Sequence, residues 1–238
     1  MGHYLVTGGC GFIGSNLGGS IAVFDSASKH GVNRGRTVPV VYASSCAVHG
    51  NENWLPLRED IQTSPLSGYG VDEFCGEFHA RMAASVYGLS STGLRFFNVY
   101  GPVQNPNSAY SGVLTIFCKA LSSKQPVTIF GDGLQERDFV YVDDVVDALR
   151  CAMDKSDQRS LGGYNVCTGN GISLLDVGKT IAEIYEVDFD PQFLPPREAD
   201  VRYSIGSPVR CLENLGWSSS TDLETGLRKT IEWLSDQV

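Results

Sequence analysis

The sequence predicts a layered α/β fold built on a parallel sheet. Short apolar runs at residues 4–6, 38–44 and 92–99 read as strands, and the stretches between them carry helical periodicity. Strands joined through helices must pair in parallel, with right-handed crossovers, which gives a sheet covered by helices. The chain has 238 residues, of which 42% are apolar, so it can bury a core. Its length suits one large domain or one domain with a smaller lobe.

Each element follows from local chemistry. The first strand runs into Thr7-Gly8-Gly9-Cys10-Gly11-Phe12-Ile13-Gly14, which reads as strand, tight turn and helix start. Gly9-x-Gly11-x-x-Gly14 satisfies the dinucleotide fingerprint in the context it requires: glycines let backbone N–H groups approach a pyrophosphate at a helix N-terminus. The acidic ribose ligand expected ~20 positions further on is missing. Asp25, the only acid before Glu52, reads as a solvated residue of a helix over 20–30 with Ile21, Phe24 and Ala27 on one face. Leu17-Gly18-Gly19-Ser20 has the composition of a flexible spacer.

Pro39 interrupts the second strand early. Phe74, Phe78, Met82 and Val86 recur at four-residue spacing, predicting a helix over 69–87 with that stripe facing a core. From about residue 165 the pattern changes. Ser173 is placed to cap a helix through Glu186. Thr221-Asp222-Leu223-Glu224 reads as a capping box for a last helix with Leu223, Leu227, Ile231 and Leu234 inward. Between them, Pro191, Pro195, Pro196 and Pro208 mark loops and short strands. The expected division is therefore a nucleotide-binding domain over 1–164 and a small C-terminal α/β substrate lobe over 165–238, with substrate segments also from 98–140.

A formal charge of −9 disfavours nucleic acid as a partner. Seven scattered cysteines without a C-x-x-C pair argue against a disulfide framework and fit a reducing cytoplasm. No basic and apolar leader, myristoylation signal or run of ~18 apolar residues is present, so secretion and membrane attachment are not expected. His3, His30, His49 and His79 lack ligand spacing, and no metal site is expected.

Five motifs in order resemble the extended short-chain dehydrogenase/reductases, specifically NAD-dependent nucleotide-sugar epimerases of the UDP-glucose 4-epimerase type. Thr7-Gly8-x-x-Gly11-x-x-Gly14 matches the cofactor turn, Val41-Tyr42-Ala43-Ser44-Ser45-Cys46-Ala47-Val48-His49-Gly50 the serine strand, and Tyr69-Gly70-Val71-Asp72-Glu73 the Tyr-x-x-x-Lys helix. Leu94-Arg95-Phe96-Phe97-Asn98-Val99-Tyr100-Gly101-Pro102 and Gly131-Asp132-Gly133-x-Gln135-x-Arg137-Asp138-Phe139-Val140-Tyr141-Val142-Asp143-Asp144 match the nucleotide-sugar segments.

The resemblance implies a Rossmann-like sheet, with NAD bound by Gly8, Gly11, Phe12, Ile13, Gly14 and Tyr69. It implies 4-epimerisation of a UDP-hexose through a 4-keto intermediate. Tyr69 is then the base and Ser45 its hydrogen-bonding partner, while Asn98, Arg137 and Arg197 bind the uridine diphosphate. Ser204 aligns with a position lining the sugar pocket, where a small residue implies that UDP-N-acetylglucosamine is accepted. Cys46-Ala47 after the serine favours epimerase over dehydratase or decarboxylase, and a homodimer is implied.

Two departures bear on this. Glu73 occupies the family lysine position. A tyrosine with its ordinary pKa of ~10 is only ~0.1% phenolate at pH 7. A carboxylate one turn away disfavours that phenolate further, so strongly reduced turnover is expected. Second, only 31 positions separate Gly14 from Ser45. A large family segment is absent there, by natural or engineered deletion or by omission. If it is deleted, residues 12–30 are expected to form one interrupted crossover helix. The alternative reading is a catalytically silent nucleotide-sugar-binding remnant.

Overall fold

A computed structural model describes residues 13–34, 38–104, 112–156, 162–197 and 200–236. In chain order the elements are α1 (Ile13–Arg34), β1 (Val40–Ser45), a 3-10 turn (Cys46–His49), α2 (Gly68–Tyr87), β2 (Ser91–Phe96), β3 (Asn98–Tyr100), α3 (Val113–Ser122), β4 (Thr128–Phe130), β5 (Glu136–Tyr141), α4 (Val142–Lys155), β6 (Gly163–Val166), β7 (Gly171–Ser173), α5 (Leu174–Tyr185), β8 (Gln192–Leu194), β9 (Tyr203–Ser204), α6 (Val209–Leu215) and α7 (Leu223–Ser235). The expected strand at 4–6 and the glycine turn through Phe12 lie outside the described residues.

The parallel sheet is present, in the order β1-β2-β6. β1 begins directly after Pro39, whose missing N–H cannot join a ladder. The run expected as one strand over 92–99 is two: β2 ends at Phe96, and beyond Phe97 the chain pairs with β5 instead, Asn98 opposite Phe139. β5 also holds β7 antiparallel and β9 in parallel, so the residues around Arg137 lie where several strands meet.

α1 corrects the expectation of an interrupted helix. It runs continuously through Gly18-Gly19-Ser20 for 22 residues. Each glycine costs about 1 kcal/mol relative to alanine in a helix. Tertiary packing compensates, because Phe24 and Ala27 are buried with Val40, Ala80, Ala83 and Leu89. Phe24 meets Tyr42 edge-on at 5.3 Å between ring centroids. Ile21 is more exposed than its place on that face predicted, and Asp25 pairs with Lys29 on the solvent side as expected.

The stripe on α2 is also corrected. Phe78 and Val86 are 54% and 63% exposed, Met82 is exposed and Phe74 half-buried. The buried face carries Gly70, Glu77, Ala80 and Ala83, whose small residues let the helix lie close to α1 and the sheet. Spacing alone identified the larger apolar face, and packing selected the smaller one.

Two larger cores lie elsewhere among the described residues. One joins α3, α5 and α7 through Leu114, Phe117, Ile181, Leu227 and Ile231, with Leu223 and Leu234 packed against it. The other places Trp217 and α6 under β2, β6 and α4. Ser173 caps α5 as expected, accepting from the Asp176 N–H, and Glu186 closes it in the left-handed conformation. The cap of α7 is Asp222, not Thr221, whose own N–H donates to Asp144. Among the described residues no helix is long and apolar enough to cross a membrane, no cluster suits a metal ion, and the cysteines are free.

Candidate active site

Ser45 ends β1 in an extended conformation and caps the 3-10 turn, its Oγ accepting from the Ala47 N–H at 3.2 Å. The first turn of α2 closes on this turn through Gly70. A Cβ there would lie 2.7 Å from the Ala47 carbonyl oxygen and 3.0 Å from Pro65 Cβ, so only glycine fits. This close approach brings the Tyr69 hydroxyl to Ser45 while the residue stays 38% exposed and open to solvent.

The charges around Tyr69 work against its ionisation. Burial raises its pKa, the hydrogen bond with Ser45 lowers it, and Glu73 raises it again by charge and by accepting from the phenol, with the result pushed up to about 12. Glu73 is itself raised to about 7. Burial is the main cause, opposed by the hydrogen bond from Tyr69 and reinforced by the Glu77 and Asp72 carboxylates.

One turn further on, Glu77 is buried and paired. Burial alone would raise its pKa, but the hydrogen bonds and charge of Arg95, with Ser44 and Arg81, hold it below the usual carboxylate range. The Ser44 hydroxyl donates to Glu77 Oε1 at 2.8 Å. Burial of Tyr42, reinforced by Glu77, pushes its phenol far above the ordinary value. Sequence reasoning missed this group. Its available signal was an arginine inside an apolar strand run and a glutamate two turns from Tyr69.

Opposite Ser45, the Ser204 hydroxyl donates to Cys46 Sγ at 3.7 Å, and Ser204 stands beside Arg137 in the β5–β9 register. Arg137 pairs with Asp200 at 2.7 Å, and Gln135 donates to the Phe130 carbonyl. Arg197 lies 3.9 Å above the Phe130 ring centroid. Asn98 donates its amide to the Asp138 carbonyl oxygen at 3.1 Å. The motif acid Asp138 is structural: it accepts from Thr168 and Gly169, tying β5 to the following loop.

His49, beside the serine, is wholly buried. Burial and the Arg95 charge lower its pKa to about 4, so the ring is neutral at pH 7. Asn165 Nδ2 donates to the Leu57 carbonyl, which leaves Asn165 Oδ1 to accept from His49 Nε2 at 3.3 Å.

The structure therefore brings together Ser45, Tyr69 and Glu73, and joins Ser204 and Arg137 to them through Cys46. Gly8, Gly11 and Phe12 lie outside the described residues. Ile13 and Gly14 open α1, whose first turn carries no acid to repel a phosphate. For a nicotinamide dinucleotide the donor set fits in a changed sense: Ser45 and Tyr69 offer hydroxyls, while an ionised Glu73 accepts from ribose hydroxyls and supplies no positive charge.

The parallel sheet with crossover helices, with Ser45 at the end of β1 and Tyr69 in the first turn of α2, defines a nucleotide-binding protein of the Rossmann type. The chain belongs to the NAD dependent epimerase/dehydratase family, which it matches over residues 12–167. It is 35% identical over 225 residues to the UDP-glucose 4-epimerase of Mycolicibacterium smegmatis, spanning 93% of this chain and 69% of that protein. The UDP-glucose 4-epimerase of Thermotoga maritima, solved with UDP-glucose, superposes with a TM-score of 0.85 at 35% identity, covering 92% of this chain and 69% of that one. The Thermus thermophilus UDP-glucose 4-epimerase, solved with NAD, gives 0.79 at 30% identity, with 92% and 70% covered.

Proposed function

We propose that this chain catalyses NAD-dependent 4-epimerisation of a UDP-hexose, with Ser45 and Tyr69 at the sugar 4-oxygen. The observation carrying this reading is the Tyr69 hydroxyl held against Ser45 on an open face, with Ser204 and Arg137 on the adjoining strands. Bound nicotinamide supplies a reversible hydride acceptor. The chain's residues do the rest. Ser45 and Tyr69 orient the 4-hydroxyl, and Tyr69 takes and returns its proton. Arg137, Arg197 and Asn98 hold the uridine diphosphate, for which a planar, permanently charged guanidinium is suited. Asp200 keeps Arg137 extended until a diphosphate competes for it.

The small Ser204 favours admission of N-acetylated sugars as well as plain hexoses. Residues 1–164 form the cofactor domain in this reading, and 165–238 the substrate lobe. The exposed Phe78, Met82 and Val86 face of α2 is the place for a homodimer contact, and a reducing cytoplasm suits the free cysteines.

A second reading, a silent UDP-sugar binder, is favoured by one observation, the Glu73 carboxyl beside Tyr69. Incubation with NAD and UDP-galactose or UDP-N-acetylgalactosamine separates the two. Epimerised product supports the enzyme, whereas calorimetric UDP binding without product supports the binder. Turnover confined to UDP-glucose and UDP-galactose would refute the assignment of Ser204.

A further inference from the structure

Arg137, the guanidinium assigned to the diphosphate, already holds an anion of the chain's own. Its Nη2 donates to Asp200 Oδ1 at 2.7 Å, while its Nη1 donates to the Glu136 carbonyl oxygen at 2.9 Å. A second donor approaches the same carboxylate. Gln135 Nε2, which donates to the Phe130 carbonyl oxygen at 2.8 Å, lies 3.5 Å from Asp200 Oδ2. The pair joins β5 to a residue 63 positions later, ahead of β9, and its side chains are 15% and 31% exposed, so an anion from solvent can reach it. A neighbouring pair, Arg202 with Asp132 at 2.6 Å, is more exposed.

We propose that Asp200 is an internal competitor for the diphosphate, an autoinhibitory contact that a ligand must exchange for its own oxygens. A carboxylate and a phosphoryl group offer a guanidinium the same kind of oxygen acceptor, so they compete for Arg137. The exchange replaces one anion by another. Arg137 is therefore never left half-buried without a counter-charge, a state that would be costly. A ligand sees only the fraction of molecules whose Arg137 is free, and its dissociation constant rises by the inverse of that fraction. For a partly exposed ion pair backed by a further polar group, the factor is about three- to tenfold. This role rests on the epimerase reading in one respect, the placing of the diphosphate at Arg137.

The test is calorimetric binding of inorganic pyrophosphate to the full chain at fixed pH and ionic strength, with no other ligand present. Asp200→Asn should bind about three- to tenfold more tightly than wild type, and Asp200→Ser likewise, so that the gain does not hang on the new amide. Asp132→Asn removes the same charge from the neighbouring pair and should stay within twofold of wild type. In an Arg137→Gln background, Asp200→Asn should bring no gain, because the competed cation is gone. Binding that requires Arg137 yet is unchanged or weaker in Asp200→Asn and Asp200→Ser overturns the proposal alone. An equal gain in Asp132→Asn also overturns it, as a general effect of charge. Binding that Arg137→Gln leaves intact, or no binding by wild type and both Asp200 variants, overturns the placing of the diphosphate at Arg137 and the competitor with it.

Discussion

Arg95 and Glu77 form a two-point ion pair in the interface between β2 and α2, with Nε to Oε1 at 2.7 Å and Nη2 to Oε2 at 2.8 Å and each side chain no more than 2% exposed. Ser44, the neighbour of Ser45, donates to the same carboxylate. One buried acid thus ties the serine strand, its neighbour and the tyrosine helix together. The geometry of Ser45 and Tyr69 is inherited from this pair.

Glu77→Ala leaves a buried guanidinium without its partner and is expected to cost about 3–5 kcal/mol. Urea unfolding at pH 7 measures it. A loss under 1 kcal/mol would show that α2 is held by its alanine packing alone.

Glu73 sets a pH dependence of opposite sense from an ordinary paired carboxylate. Its folded pKa, about 7, lies above its unfolded value, so stability is full below pH 4.5 and declines as pH rises through 7. Glu73→Gln should remove that slope and exceed wild type by about 1–2 kcal/mol at pH 8, with little difference at pH 4.5. Parallel wild-type and variant curves would refute the raised value.

His49 works in the other direction. With its pKa lowered to about 4 in the fold, the unfolded chain binds its proton first, and stability falls as pH drops from 6.5 towards 4 by up to about 3 kcal/mol. Imidazole ¹⁵N spectra should show a neutral ring with the proton on Nε2 down to pH 5. A cationic ring at pH 6 would contradict the buried contact with Asn165.

Gly70 and Gly76 provide a paired test of the tyrosine helix. Gly70→Ala forces the first turn of α2 off the Ala47 carbonyl and should cost about 1–3 kcal/mol together with most turnover. Gly76→Ala meets nothing within 4 Å and should gain about 0.5–1 kcal/mol. Thermal melts and epimerase assays on both variants read the difference.

Features legible in the sequence were those with local causes. Ser173 announced the start of α5 because its hydroxyl meets an N–H three residues away, and the inward face of α7 followed from simple spacing. Ser45 and Tyr69 came together because a motif recorded their partnership. The Arg95–Glu77 pair joins residues on different elements, and no local pattern announces it. The α2 stripe misled for a related reason: periodicity finds an apolar face, but only the neighbours decide whether bulk or close approach is buried there. The break at Phe97 likewise depends on β5, which lies 40 residues on.

The unbroken α1 has a consequence for how this chain relates to its longer relatives. A helix advances about 100° per residue, so two lengths of helix can be spliced only in phase. Phe24 and Ala27 reach Val40 and Ala83 because the residues before them, Gly18-Gly19-Ser20 included, preserve that phase. One residue added at the junction would swing both side chains away from β1 or twist the start of the helix by the same angle. The length of this crossing is therefore quantised: residues can be gained or lost ahead of Phe24 only in steps that return that face to β1.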